Sequence, residues 1–193
     1  MREKTQLRTR SIEGIVLCGM FTALIATGAF IKINIPVQPF PMHFTLQFFF
    51  VLLAGIILGG KMGCTSVCCY LLIGLSGIPI FAAGGGPAYL IRPTFGFLLG
   101  FVWAALVTGK IVERMRRHTF LHLLLATVAG LAVMYLSGIL YFYFVSNYVI
   151  GMPIGWKLVL INCFLLTVGG DFVLCVMASA LAAKLIPMLQ KIR

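Results

Sequence analysis

Six apolar runs, at residues 12–31, 44–58, 62–75, 94–111, 120–148 and 156–188, take up most of this chain. An α-helix needs a stretch of about 20 such residues to cross the hydrocarbon core of a bilayer. Only 10% of the 193 residues are charged and 61% are hydrophobic, a balance that soluble domains do not reach. The expected fold is therefore an all-α integral membrane protein with six transmembrane helices, organised as one membrane-embedded domain over residues 1–193. The first run could pass for a secretory signal, but it is too long, lacks a small-x-small cleavage site and is followed by further spans. The second and third runs are short for a crossing, which implies local thinning or a loop that shares the membrane depth.

The basic residues orient this bundle. With the N-terminus inside, Arg2, Lys4, Arg8, Arg10, Lys61, Lys110, Arg114, Arg116, Arg117, Lys184, Lys191 and Arg193 all fall on the cytoplasmic side. Lys32, Arg92 and Lys157 remain outside. That asymmetry predicts cytoplasmic N- and C-termini. It also accounts for the net charge of +11 through topology and contact with anionic lipid, so no nucleic-acid partner is expected.

Three irregular segments then lie on the outer face: the proline-rich turn at residues 34–43, the stretch at residues 77–101, and the turn Gly151-Met152-Pro153. The second of these carries Gly84, Gly85 and Gly86 in a row, with Pro79, Pro87 and Pro93, yet also Phe81, Tyr89 and Leu90. Glycine and proline break helices, while the apolar side chains keep such a loop from waving in water. An ordered outer loop folded over a pocket is expected, because non-helical backbone near a bilayer must be sheltered.

Asp171 is the only aspartate, and it sits within the sixth run. A carboxylate at that depth costs about 2.5–3.5 kcal/mol on insertion scales, so it faces a cavity or a partner. It is read as an acceptor for ligand N–H groups. Arg92, beside the glycine run, can take a carboxylate through two parallel hydrogen bonds. Thr45, Gln47 and Asn162 are polar residues near the outer ends of spans, among aromatics that include Phe40, Phe44, Tyr141 and Trp156. An apolar pocket with a few fixed polar groups suits a small molecule.

Other chemistries fit poorly. An intramembrane aspartyl protease needs two aspartates sharing a proton. The glycine run is followed by no Lys-Ser/Thr pair and preceded by no strand, so it is not a phosphate loop. His118 and His122 are spaced four apart but have no carboxylate or cysteine near them. Cys18, Cys64, Cys68, Cys69, Cys163 and Cys175 lie in apolar runs and are read as packing residues. No metal site, cofactor or catalytic set is expected, which leaves a binding subunit.

The motifs Thr45-Leu46-Gln47, Val51-Leu52-Leu53-Ala54-Gly55, Tyr70-Leu71-Leu72-Ile73-Gly74, Gly77-Ile78-Pro79-Ile80-Phe81-Ala82, Pro93-Thr94-Phe95-Gly96-Phe97-Leu98 and Gly170-Asp171 together resemble the BioY family. These are the biotin-specific S components of energy-coupling-factor (ECF) transporters. The resemblance covers nearly the whole chain. It implies a multi-pass protein of the bacterial cell membrane that holds biotin near the outer face under the loop. It also implies a transmembrane scaffold subunit and two cytoplasmic ATPases as partners. Gly19, Ala23 and Thr27 on the first helix resemble the small-residue stripe by which S components dock their scaffold, and small residues do let membrane helices approach closely. The chain departs from the family pattern at His43, where proline is common, at Arg92, where glycine is frequent, and at Leu174, where many members carry lysine. An S component for another small vitamin, or a biotin carrier acting without partner ATPases, remains open at this point.

Overall fold

The computed structural model describes residues 2–36, 41–115 and 118–192. The tip of the proline-rich turn with Phe40, the loop arginines Arg116 and Arg117, and the terminal Arg193 lie outside the described residues. Helix α1 spans Arg2–Phe30. It starts well before its apolar run because Arg, Glu, Lys and Gln are themselves good helix formers. Helices α2 (Gln47–Leu58) and α3 (Gly60–Leu75) follow, joined at Gly59. Helix α4 covers Phe95–Arg114 and α5 covers Phe120–Phe144, the latter running on through a π turn at Val145–Val149. A short α6 (Trp156–Leu160) passes through a second π turn, Ile161–Leu165, into α7 (Val168–Ile192). Counting α6 and α7 as one interrupted rod, the described residues form six helices. Four are long and apolar enough to cross a membrane, while α2 and α3 are shorter.

The proline-rich turn is more regular than its sequence suggested. Strands β1 (Lys32–Ile35) and β2 (Met42–Thr45) pair antiparallel, with Lys32 opposite Thr45 and Asn34 opposite His43. The Leu46 N–H bonds to the Ile31 carbonyl at 3.1 Å and continues the ladder. Prolines cannot donate to a ladder, and here Pro36 and Pro41 flank the two strands without interrupting them. Phe44 and Thr45, expected within the second span, belong to β2 as a result.

The core is built on α4, which packs against α2, α3 and along α5. Val51, Leu52, Ala54, Ala104, Ala105, Leu123 and Ala126 are wholly or almost wholly buried there. Small residues set the spacing where three helices meet. A Cβ on Gly109 would lie 2.3 Å from the Gly60 nitrogen and 2.6 Å from the Gly55 carbonyl oxygen. Both are backbone atoms, so nothing can rotate away. The turn between α2 and α3 is tied to α4 at the same end, where Glu113 Oε1 accepts the Gly60 N–H at 2.7 Å.

This packing predicts a clear contrast. Gly109→Ala should destabilise the isolated protein by about 1–3 kcal/mol, the usual cost of overpacking. Gly19→Ala, where a Cβ meets nothing within 4 Å, should leave it unchanged. Thermal unfolding in detergent measures both, and equal melting temperatures would contradict the three-helix contact.

Candidate functional site

The cavity beneath the hairpin and the glycine-rich loop draws on six separate pieces of chain. Strand β2 contributes Met42, His43, Phe44 and Thr45, and α2 contributes Gln47 and Phe48. The loop adds Ala82, Tyr89 and Thr94, and α4 adds Phe97, Leu98 and Phe101. Met134 comes from α5, while Thr167 and Asp171 come from the last rod. The cavity and its open mouth together hold about 620 Å³ of space outside the atoms, a slot between these walls.

The cover holds its shape through packing. Phe81 lies 4.7 Å from the Tyr89 ring, 5.3 Å from Tyr70 and 6.4 Å from Phe95, centroid to centroid. Its backbone pairs with Gly84 through two hydrogen bonds of 2.9 and 3.1 Å, and Gly84 adopts φ +117°, which a side chain would resist. The Gly86 N–H reaches the Gly74 carbonyl at 2.8 Å, and a Cβ on Gly85 would strike the Ile78 carbonyl. The loop thus folds flat against the end of α3. Lys32 of β1 donates to the Ala82 carbonyl, which joins the hairpin to the loop.

Polar groups on the wall are held from behind. Tyr135 donates to Asp171 Oδ2 at 2.5 Å and meets Thr167 Oγ1 at 2.8 Å. Asp171 is only 8% exposed, and among the described residues Oδ1 accepts no protein hydrogen bond, so one carboxylate oxygen is left for the cavity. On the opposite side the Gln47 amide donates to the Tyr70 hydroxyl at 2.5 Å and accepts from Thr45 at 3.2 Å. Tyr70 in turn donates to the Ile80 carbonyl at 3.3 Å, linking this wall to the loop. At the mouth, burial and then Lys32 and Arg92 hold the His43 imidazole below its ordinary value of 6.5. Burial pushes the Tyr89 phenol up, against a smaller opposing pull from Arg92, so at neutral pH it stays protonated.

Of the residues singled out from the sequence, the structure brings Asp171, Tyr89, Thr45 and Gln47 together on this cavity. Phe81 and the run Gly84-Gly85-Gly86 stand behind Tyr89 as its support. Arg92 is exposed, its guanidinium 5.1 Å from the Tyr89 ring centroid, and lines a separate, more open outer recess. Asn162 is buried in the second π turn and is not on the cavity wall. Gly19, Ala23 and Thr27 lie on the exposed face of α1, far from being packed inside. Sequence reasoning missed Tyr135, Thr167 and His43 as parts of the site. Thr167 had a signal, since it precedes Asp171 by four residues and so shares its helix face. Tyr135 had none, being one aromatic among many on a long apolar helix.

The profile of the BioY family matches residues 1–191. A protein of Lysinibacillus sphaericus described as a probable biotin transporter is 41% identical over 179 residues, covering 93% of this chain and 89% of its own length. The biotin transporter of Thermotoga maritima is 42% identical over 135 residues, 69% of this chain and 74% of that protein. The crystal structure of the S component for biotin from an ECF-type ABC transporter superposes with a TM-score of 0.80 over 93% of both chains. At 20% sequence identity that match speaks for the fold, and the six-helix bundle is shared. A family match over nearly every residue, on top of this fold, decides the membership: this chain belongs to the BioY family.

Proposed function

We propose that this chain is the biotin-capturing S component of an ECF uptake transporter. It binds its ligand without chemical change, and a membrane scaffold and two ATPases drive the import. The observation that carries this reading is the half-satisfied carboxylate of Asp171, set deep in a roofed apolar slot. Biotin matches such a slot part by part. Its ureido ring offers N–H donors to Asp171 Oδ1, and a hydrogen bond to a charged group is worth about 1.5–3 kcal/mol. Its sulfur-containing ring is apolar, as are Phe97, Leu98, Phe101 and Met134. The Gln47 amide uses one of its two N–H bonds on Tyr70, which leaves the other for the ureido oxygen. The valerate chain then leads past Tyr89 towards the mouth, where Arg92 can face its carboxylate.

The site opens to the outside in this reading. All six helices traverse the bacterial cell membrane, α2 and α3 with their ends inside the interface, and the basic bias sets both termini in the cytoplasm. A C-terminal alkaline phosphatase fusion should therefore stay inactive in cells while a C-terminal fluorescent protein lights up. The reverse pattern would invert the topology.

Docking falls to the exposed stripe of α1. The Thr27 hydroxyl bonds back to the Ala23 carbonyl at 2.9 Å, so the stripe offers a smooth, nearly apolar surface. Beside it runs a groove floored by Met62, Thr65, Cys69 and Ile73 of α3. Close van der Waals approach is what holds membrane helices together. This exposed face favours a partner-dependent transporter over a solitary carrier.

Two substitutions separate capture from transport. Asp171→Ala should weaken biotin binding by about 1.5–3 kcal/mol, roughly 10- to 100-fold, in calorimetric titration against a vitamin panel in which biotin alone binds. An unchanged affinity in folded protein would remove Asp171 from the site. Ala23→Trp should leave biotin affinity intact and abolish both co-purification with the scaffold–ATPase module and ATP-driven uptake. Loss of binding in that variant would show that the stripe packs inward after all, and retained uptake would put the docking face elsewhere.

A further inference from the structure

A second, more open recess lies outside the cavity, lined among others by Pro41, His43, Arg92 and Ile150. His43 is the ionisable side chain common to both spaces. A ligand anchored at Asp171 with an acidic tail must pass it on the way out. The imidazole is held in one orientation by its cross-strand neighbour, since Nδ1 lies 2.8 Å from Asn34 Oδ1. An amide oxygen only accepts, so Nδ1 carries the hydrogen. In the neutral ring Nε2 is then a bare acceptor, and it becomes a donor only on protonation.

We propose that His43 reads the anionic end of the ligand by taking up a proton. A carboxylate entering between Nε2 and the Arg92 guanidinium receives a hydrogen bond from Nε2 as that nitrogen is protonated from solvent. This rests on the biotin reading and deepens it, by naming how the acid end is told from a neutral one. The surroundings set the switch. Burial, and then the positive charges of Lys32 on β1 and Arg92 in the loop, favour the neutral form of the imidazole in the empty site. Asn34 is neutral and the Tyr89 phenol remains protonated. Asp171 stands on the α7 wall of the same cavity. An incoming carboxylate adds the opposite charge beside the ring, which favours the protonated form. Near neutral pH His43 is neutral when the site is empty and charged in the complex, so binding consumes a proton and affinity falls as pH rises.

Titration calorimetry on the full chain, in buffers of different ionisation enthalpy, reads the proton directly. Biotin should bind with net proton uptake, and its affinity should fall by up to about tenfold per pH unit between pH 6 and 8. The ligand carboxyl is ionised throughout that range. Biotin amide should bind with less uptake and a flatter pH profile. Any proton taken up at Asp171 is common to acid and amide, so the difference between them isolates the tail. His43→Gln should bind biotin with the profile of the amide. Equal uptake for acid and amide overturns the proposal, as does a His43→Gln variant that keeps the wild-type difference. The acid–amide comparison on the unmodified chain decides the matter even where the variant fails to fold. If neither ligand binds at any pH, the biotin reading itself fails and this inference falls with it. Binding without the acid–amide difference removes only His43.

Discussion

An ionisable carboxylate inside an apolar bundle is the constraint that the rest of this site answers to. Burying a charge without partners is too costly for a fold of marginal stability. Here the Tyr135 hydroxyl meets one oxygen, and Thr167 steadies that hydroxyl while bonding back to the Cys163 carbonyl at 2.9 Å. The arrangement requires α5 and the last rod to lie side by side in one register. It also coincides with an interruption: the second π turn and the turn at Leu166-Thr167 end just before Val168 opens α7. Local π geometry is uncommon and concentrates at functional positions. Beyond the turn, the Asp171 N–H bonds to the Thr167 carbonyl at 3.0 Å, and this regular spacing keeps the two side chains on the same wall.

The cover follows from a second constraint. Backbone that is neither helix nor closed barrel needs shelter near a bilayer, and this protein uses two such pieces at once. The β1–β2 hairpin satisfies its own backbone through its ladder, while the glycine-rich loop satisfies part of its own through Gly74, Phe81 and Gly84. Lys32 joins one to the other at the Ala82 carbonyl. A loop so built is neither a tether nor a free lid. Its Phe81 is 2% exposed and anchored among three rings, and Tyr89 faces the slot from that fixed support.

The bundle was legible in the sequence because span length and apolar content act over many residues and average out local error. The place of Asp171 on a cavity wall was legible for the opposite reason, since a single carboxylate in an apolar run must face a cavity or a partner. The hairpin was hidden by prolines that read as a turn; its strands are four residues each, too short for alternation to stand out beside a span. Asn162 shows the limit of reasoning by polarity. It lies near a span end like Gln47, but the π turn carries it away from the cavity wall, and no sequence pattern announces that turn. Tyr135 was illegible because its role depends on which helix faces α7, a property of packing that its own neighbours along the chain do not encode.

The exposed stripe of α1 and the cavity lie on different surfaces, yet a single close contact with α2 links them. The stripe of α1 faces outward at Gly19, Ala23 and Thr27, and the next residue, Gly28, packs against the start of α2. A Cβ there would fall 2.9 Å from the Gln47 nitrogen. Gln47 is in turn bonded to Thr45 and Tyr70 on the cavity wall. The α1 surface is therefore one close backbone contact away from Gln47, whose side chain lines the cavity. A shift of α1 against α2 would be carried to Gln47, and through its bond with Thr45 to β2 and the hairpin roof. Packed interfaces of this kind shift as units and do not deform gradually. In this connectivity the hairpin roof is linked to α1 through Gln47, whereas Asp171 and its hydrogen-bond partners belong to α5 and the last rod.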